Sequence, residues 1–348
     1  MFMQHLNVYR KQDILALTRI RQFETKLGER VLVAADPANI AHSVEQTEAE
    51  YVLLGIAEDI GVRANEGRGG SGTAWPFFLK SFLNQQSNDF LTGESVLVLG
   101  YFDFSELDRL IEANAFGREE KLTALRHAVH TIDEVVEPLI KLITAAGKIP
   151  IVVGGGHNNA YPLIKGSAKG LHKAGLIPLP QINAVNLDAH SGFRPAEGRH
   201  SGNAFWYAEE DGFLEKYCAI GVYENDLPQN IWLDIINNPF VDLITYEDIL
   251  VLEKRSFTQA VAHATGFTED NYIGLELDLD VFGPTGCGMP AAGLGSVQAR
   301  QYVTFAAIDS KIAYFHICEG IFSLSHGQSE AAGQLMAVIV SDFLKARE

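Results

Sequence analysis

The sequence predicts an α/β fold: one domain over 1–348 in three layers, αβα, with a mostly parallel sheet of about eight strands at its centre. Three observations carry this. Eight short runs are apolar and rich in β-branched residues almost without interruption, longer helix-like stretches separate them, and no repeat, linker or shift of composition marks a second domain. Runs apolar at every position suit strands buried on both faces, as in a parallel sheet, whereas a half-exposed strand alternates. Alternation of such strands with helices argues for a doubly wound sheet with right-handed crossovers.

The strands are expected at 51–56, 96–101, 149–153, 182–187, 217–222, 241–245, 272–279 and 312–318. Between the second and third lies the clearest helix, 117–146, where Leu122, Leu125, Val129, Ile132, Val136, Leu139 and Ile143 recur at spacings of three and four. A last helix is expected at 329–346. The Gly-rich segment 61–74 reads as a loop. It lacks both a GK[ST] ending and a GxGxxG placed after a strand, so it does not read as a phosphate cradle. Segments 102–116 and 283–295 carry no pattern.

At 348 residues and 47% hydrophobic the chain is long enough to bury a large core. Its net charge of −17, with no basic run, argues against nucleic acid or an anionic membrane as partner, because both require a positive face. A small-molecule substrate is expected instead. Cys218, Cys287 and Cys318 are too scattered for a disulfide framework or a zinc knuckle, so all three are read as reduced and the compartment as cytoplasmic. Arg10, Lys11 and Asp13 interrupt any leader-like start, and no segment approaches the roughly 20 apolar residues of a membrane span.

Ligands of an open α/β sheet collect beyond the carboxyl ends of its strands, and three of the expected strands end in metal-ligating residue types. One runs into Gly154-Gly155-Gly156-His157, a second into Asp188-Ala189-His190, and a third contains Glu276-Leu277-Asp278-Leu279-Asp280. Residues two apart in an extended segment share a face, so Asp188 pairs with His190, and Glu276, Asp278 and Asp280 line up. Carboxylates crowded together in an apolar strand must protonate or share a cation. Mixed His/Asp ligation suits Mn²⁺, Zn²⁺ and similar ions. Singly, each motif is more often a turn histidine or a helix-capping aspartate; together, at three strand exits, they read as a metal site.

These residues resemble the ureohydrolase superfamily (arginase, agmatinase, formimidoylglutamase), whose pattern is a GG-x-H turn, a D-A-H-x-D segment and an S-x-D-x-D segment. The resemblance covers about 50–340 and includes LLGIAEDIGVRANEGRGGSG at 53–72 and GRHSGNAF at 198–205. It implies a hydrolase of linear amidines that cleaves a C–N bond with Mn²⁺, through attack of an activated water on the amidine carbon. Carried over residue by residue, His157 binds a first ion, His190 and Asp280 a second, and Asp188 and Asp278 bridge them. Asp188, Asp278 and Glu319 are then the catalytic candidates, with Ser201, Asn203 and Glu319 at the substrate. The family also implies a homo-oligomer.

Two departures stand out. Gly192 replaces the second Asp of D-A-H-x-D, and Glu276 replaces the Ser of S-x-D-x-D; Gly283 stands where an Asp usually precedes Pro. The first ion site is therefore expected to be weak, so the chain holds one ion or two. Glu276 is a possible substitute ligand whose effect Gly192→Asp would reproduce, or else a partner of a basic group such as Arg194. Ser201-Gly202 and the GGGH turn look most like formimidoylglutamases, and His200 lies one residue earlier than the proton-shuttling His of arginases. Open alternatives are an arginase- or agmatinase-type guanidino hydrolase and a metal-impaired homologue with a structural or regulatory role. Histone-deacetylase-like hydrolases share the sheet, but their D-x-H is followed by a lone Asp, unlike the Asp278/Asp280 pair.

Overall fold

A computed structural model of the chain describes residues 4–282, 293–308, 310–320 and 326–348; Cys287 and Gly283 lie outside the described residues. The strands are β1 (Leu6–Val8), β2 (Tyr51–Ala57), β3 (Val96–Asp103), β4 (Ile149–Val153), β5 (Ile182–Leu187), β6 (Leu214–Val222), β7 (Val241–Thr245), β8 (Ile273–Asp278) and β9 (Ile312–Cys318). They form one sheet in the order β1-β3-β2-β4-β9-β8-β5-β6-β7. The eight expected strands are β2 to β9, and all pair in parallel.

The ninth strand, β1, is antiparallel to β3, with Leu6 opposite Phe102. Its three residues bury only Leu6, too little pattern for the sequence to announce a strand. Two helices fall where the sequence reads as a loop or shows no pattern. Ile60–Ala64 occupies the start of the segment expected to be a loop, and Ser105–Asn114 lies within the patternless 102–116. The long helix is Arg118–Ala145, with Glu119 and Glu120 in its first turn, where acidic groups favour the helix dipole. The last helix is His326–Lys345, three residues earlier in onset than its apolar spacing implied.

Because side chains alternate across a strand, each parallel strand feeds two cores. Val52, Leu54 and Ile56 of β2 pack beneath the helices Arg118–Ala145 and Ala160–Lys173 on one face, with Val129, Val136, Leu163 and Ile164. Tyr51 and Leu53 point to the other face, into a cluster with Phe78, Phe82, Val303 and Phe343 from the helices Ala74–Leu83, Ser296–Ile308 and His326–Lys345. The result is the expected αβα arrangement. Four neighbouring strands, β4, β9, β8 and β5, bring their carboxyl ends to one edge, and every metal-ligating motif hangs from one of them.

A buried ion pair ties that edge to the helical layer. Arg199, in the segment after β5, gives Nε to Asp133 of Arg118–Ala145 at 2.9 Å, Nη1 to Asn203 Oδ1 at 3.0 Å and Nη2 to the Asn158 carbonyl at 2.9 Å. Both charged groups are buried. Removing one partner strands the other charge in a dry environment. Arg199→Met is expected to lower the free energy of unfolding by about 3–5 kcal/mol in urea titration; a change under about 1 kcal/mol would show that the pair is structurally idle.

Candidate metal centre

The turn after β4 places the first ligand candidate. Gly154 and Gly155 adopt φ of +96° and +81°, and a Cβ on Gly155 would lie 2.5 Å from Asn159 Nδ2, so the turn requires glycine. The buried carboxylate of Glu58, the residue directly after β2 in the motif-like stretch 53–72, accepts the Gly156 N–H at 2.9 Å, the Gly61 N–H at 3.2 Å and Asn159 Nδ2 at 2.6 Å. Glu58 and Arg199 thus anchor the turn carrying His157. Neither residue was singled out from the sequence, although a Glu directly after an apolar strand was the available signal.

His157 is buried, with Nδ1 2.9 Å from Asp278 Oδ2 and 3.0 Å from Asp188 Oδ2. His190 Nδ1 lies 2.8 Å from Asp280 Oδ2 and 3.6 Å from Asp188 Oδ1. Three overlapping groups, His157/Asp188/Asp278, Asp188/His190/Asp280 and Asp278/Asp280/Glu319, each have ligand atoms within 4.8 Å of one another. His157, Asp188, His190, Asp278 and Asp280 therefore converge, with Asp188 touching both histidines, and Glu276 joins His157 in a fourth group with Cys318. The backbone shapes the carboxylates: Asp188 Oδ1 accepts the His190 N–H at 2.7 Å and Asp278 Oδ1 the Asp280 N–H at 2.9 Å. Asn186 donates to Asp188 Oδ2 at 3.0 Å and to Tyr217 Oη at 2.9 Å.

Electrostatics mark the cluster as short of positive charge. Burial, then the negative charges of Asp280, Asp188 and Glu319, push the Asp278 carboxyl well above the usual range. Burial opposes ionisation of Asp188 too, but hydrogen bonds with His157 and His190 outweigh it and hold that carboxyl low. Glu319 is pushed up to about 7, first by burial and next by Asp280. Among the described residues, Asp280 Oδ1 is buried without a hydrogen-bond partner. Carboxylate oxygens and imidazole nitrogens in this density suit a divalent cation of the Mn²⁺ or Zn²⁺ type.

Glu319, directly after β9, has φ of +56° and accepts the His157 N–H at 3.1 Å. With Asp278 and Asp280 it faces a cavity of about 410 Å³, which Ser201, Gly192, Asn65, Arg68, Arg194 and Asp226 also line. The substrate-binding candidates divide here. Ser201 lines the cavity, but Asn203 is fully buried, with Oδ1 accepting from Arg199 and the His200 N–H and Nδ2 donating to the Gly198 carbonyl. His200 is also fully buried; Nδ1 accepts the Gly202 N–H at 3.1 Å, and burial pushes its pKa down to about 4. It caps a turn.

The two departures take a different form from that expected. Gly192 has φ of +63°, and a Cβ there would lie 2.5 Å from Cδ2 of Phe205. The buried Phe205 ring stacks on Tyr217 at 4.3 Å and meets His157 edge-on at 5.2 Å. An aspartate at 192 would meet the ring, which must shift to admit it, and would take a left-handed backbone conformation that costs any residue but glycine. Glu276 pairs with Tyr314 and His316, while Arg194 pairs with Glu197.

A model of the arginase family matches residues 87–341. The formimidoylglutamase of Psychrobacter cryohalolentis is 26% identical, covering 94% of this chain and 95% of its own. The formimidoylglutamase structure from Bacillus subtilis superposes with a TM-score of 0.71 at 15% identity, over 94% of this chain and 93% of that one. A formiminoglutamase variant from Trypanosoma cruzi with Mn²⁺ gives 0.69 at 18% identity, over 93% and 98%.

Asp280 brings its carboxylate to the cluster from just beyond the end of β8. Asp280→Ala is expected to weaken Mn²⁺ binding by more than about tenfold in a calorimetric titration, with the thermal midpoint of the metal-free protein unchanged or raised. Undiminished Mn²⁺ affinity would remove Asp280 from the centre.

Proposed function

Because the chain belongs to the arginase family, we propose that it is a Mn²⁺-dependent hydrolase that cleaves the C–N bond of a formimino group on a small carboxylate-bearing substrate, in the manner of a formimidoylglutamase. The observation that carries this is the convergence of His157, Asp188, His190, Asp278 and Asp280 on the floor of a cavity that Glu319 also faces. When bound there, a divalent ion activates water and polarises an amidine carbon. Glu319, beside the cluster, is suited to hold the substrate's amidine nitrogens through its carboxylate. Ser201 and the guanidinium groups of Arg68 and Arg194 are suited to orient its carboxylates. The formimino preference rests on the formimidoylglutamases among its relatives.

We infer further that one ion predominates. The family pattern would give one position Asp188, His190, Asp278 and Asp280, of which Asp188, His190 and Asp280 have ligand atoms within 4.8 Å of one another. It would leave His157, Asp188 and Asp278 for the other position, where the Phe205 ring crowds the place of a further ligand at 192. The same feature favours a second reading, a homologue with little turnover and a structural or regulatory role. No helix among the described residues is long and apolar enough to cross a membrane, and the free thiols Cys218 and Cys318 support a reducing compartment such as the cytoplasm.

Metal analysis after equilibration with moderate Mn²⁺ is expected to return close to one ion per chain; two firmly held ions would contradict the single-ion reading. With Mn²⁺ present, N-formimino-L-glutamate should yield formamide, whereas arginine and agmatine should yield no urea. Glu319→Gln is expected to lower kcat/KM by about a hundredfold with little change in melting temperature. Urea release from a guanidino compound would overturn the substrate class, and metal binding without any turnover would favour the second reading.

A further inference from the structure

Glu276 lies on β8, two residues before Asp278, and is fully buried at the centre of the sheet. Its neighbours are Asn186 on β5 and His316 on β9. A carboxylate in such a place is destabilising unless its oxygens are engaged, and both are: Tyr314 Oη donates to Oε1 at 2.6 Å, and His316 Nδ1 meets Oε2 at 2.7 Å. The same Oε2 lies 3.4 Å from Nε2 of His157. Nε2 has no hydrogen-bond partner among the described residues, so Glu276 offers the ion-pair contact on that side. On the opposite side of the ring, Nδ1 faces Asp188 and Asp278.

The imidazole of His157 therefore stands between two acidic environments of different kinds. One is the cluster open to the cavity; the other is a single carboxylate closed off in the sheet and pinned by a tyrosine and a second histidine. An ion touching Nδ1 has the ring between it and Glu276, which makes Glu276 a poor ligand for that ion. A carboxylate behind a ligating histidine has another role. It takes the N–H of the distal nitrogen, fixes the tautomer and ring orientation, and raises the basicity of the ligating nitrogen. The Cys318 thiol, within 4.8 Å of both groups, is a much weaker acceptor.

We propose that Glu276 is a positioning residue of the metal centre, holding His157 with Nε2–H toward its own carboxylate so that the Nδ1 lone pair is presented beside Asp188 and Asp278. This rests on the preceding reading that the cluster holds a divalent ion. It also gives the glutamate at this strand position a purpose other than that of a substitute ligand. Tyr314 and His316 are the struts that keep its carboxylate from turning away.

The test is a calorimetric Mn²⁺ titration of the wild type, Glu276→Ala, Glu276→Gln and Tyr314→Phe, with ¹⁵N-histidine NMR on the zinc-loaded wild type as a diamagnetic stand-in. Glu276→Ala should weaken binding by about ten- to a hundredfold. Glu276→Gln, which keeps an acceptor, should lose less, and Tyr314→Phe less than about threefold. The His157 resonance, assigned by its absence from His157→Gln, should report Nε2–H with Nδ1 on the metal. Unchanged affinity in a folded Glu276→Ala, or an Nδ1–H tautomer in the wild type, would each overturn the proposal and leave the metal reading standing. The tautomer decides the matter even if Glu276→Ala does not fold. A wild type that binds neither Mn²⁺ nor zinc would overturn both.

Discussion

Like-charge crowding at the carboxyl edge of the sheet is the constraint on which the rest of this structure depends. Asp188, Asp278 and Asp280 each bring a ligand atom within 4.8 Å of a histidine's, Glu319 lies as close to Asp278 and Asp280, and the three aspartates are nearly closed to solvent. Repulsion at such separations is screened little in a buried site, and each carboxylate also gives up hydration to be there. The two imidazoles offset part of this by holding Asp188 ionised, while Asp278 is pushed toward its neutral form. A divalent cation resolves the conflict for all of them at once.

The scaffold reads as a set of devices that hold this arrangement against its own repulsion. Parallel β4, β9, β8 and β5 deliver the ligands from four backbones fixed by their ladders. Glu58 gathers the Gly156 N–H and the Asn159 amide, so the turn bearing His157 is held by its own hydrogen bonds. Arg199 joins that turn to Asp133 and Asn203. Each of these polar groups is buried and engaged, and removing one partner leaves the other exposed to a dry environment. Rigidity at the ligands thus comes from charges placed some distance behind them.

Most of the fold was legible because a parallel sheet writes itself as continuous apolar runs, and β2 to β9 fall where those runs lie. β1 was not, since an edge strand that buries one residue of three leaves no periodicity. Among the candidate site residues, His157, Asp188, His190, Asp278, Asp280 and Glu319 could be picked out because each ends or follows a strand and is of a type that ligates metal or carries charge. Glu276 shows where this reasoning stops. Alternation tells that it shares a face with Asp278, but not that the ring of His157 stands in between. Gly192 shows the same limit from another side: its partner Phe205 lies in the following helix, so the crowded position is visible only in three dimensions. Asn203 stands at the substrate only by the resemblance of its segment, and in the structure the hydrogen bonds of its own turn claim it, as they do His200.

The measurement that bears most directly on the account is the stability of Asp278→Asn with and without Mn²⁺. Removing one negative charge from the centre of the cluster should raise the thermal midpoint of the metal-free protein. With Mn²⁺ at about a hundred times its dissociation constant, the wild type should gain about 2.7 kcal/mol from binding, and the order of the two proteins should reverse. If Asp278→Asn is instead less stable than the wild type without metal, and Mn²⁺ stabilises neither, the carboxylates are not held in repulsion for a cation and the central claim is wrong.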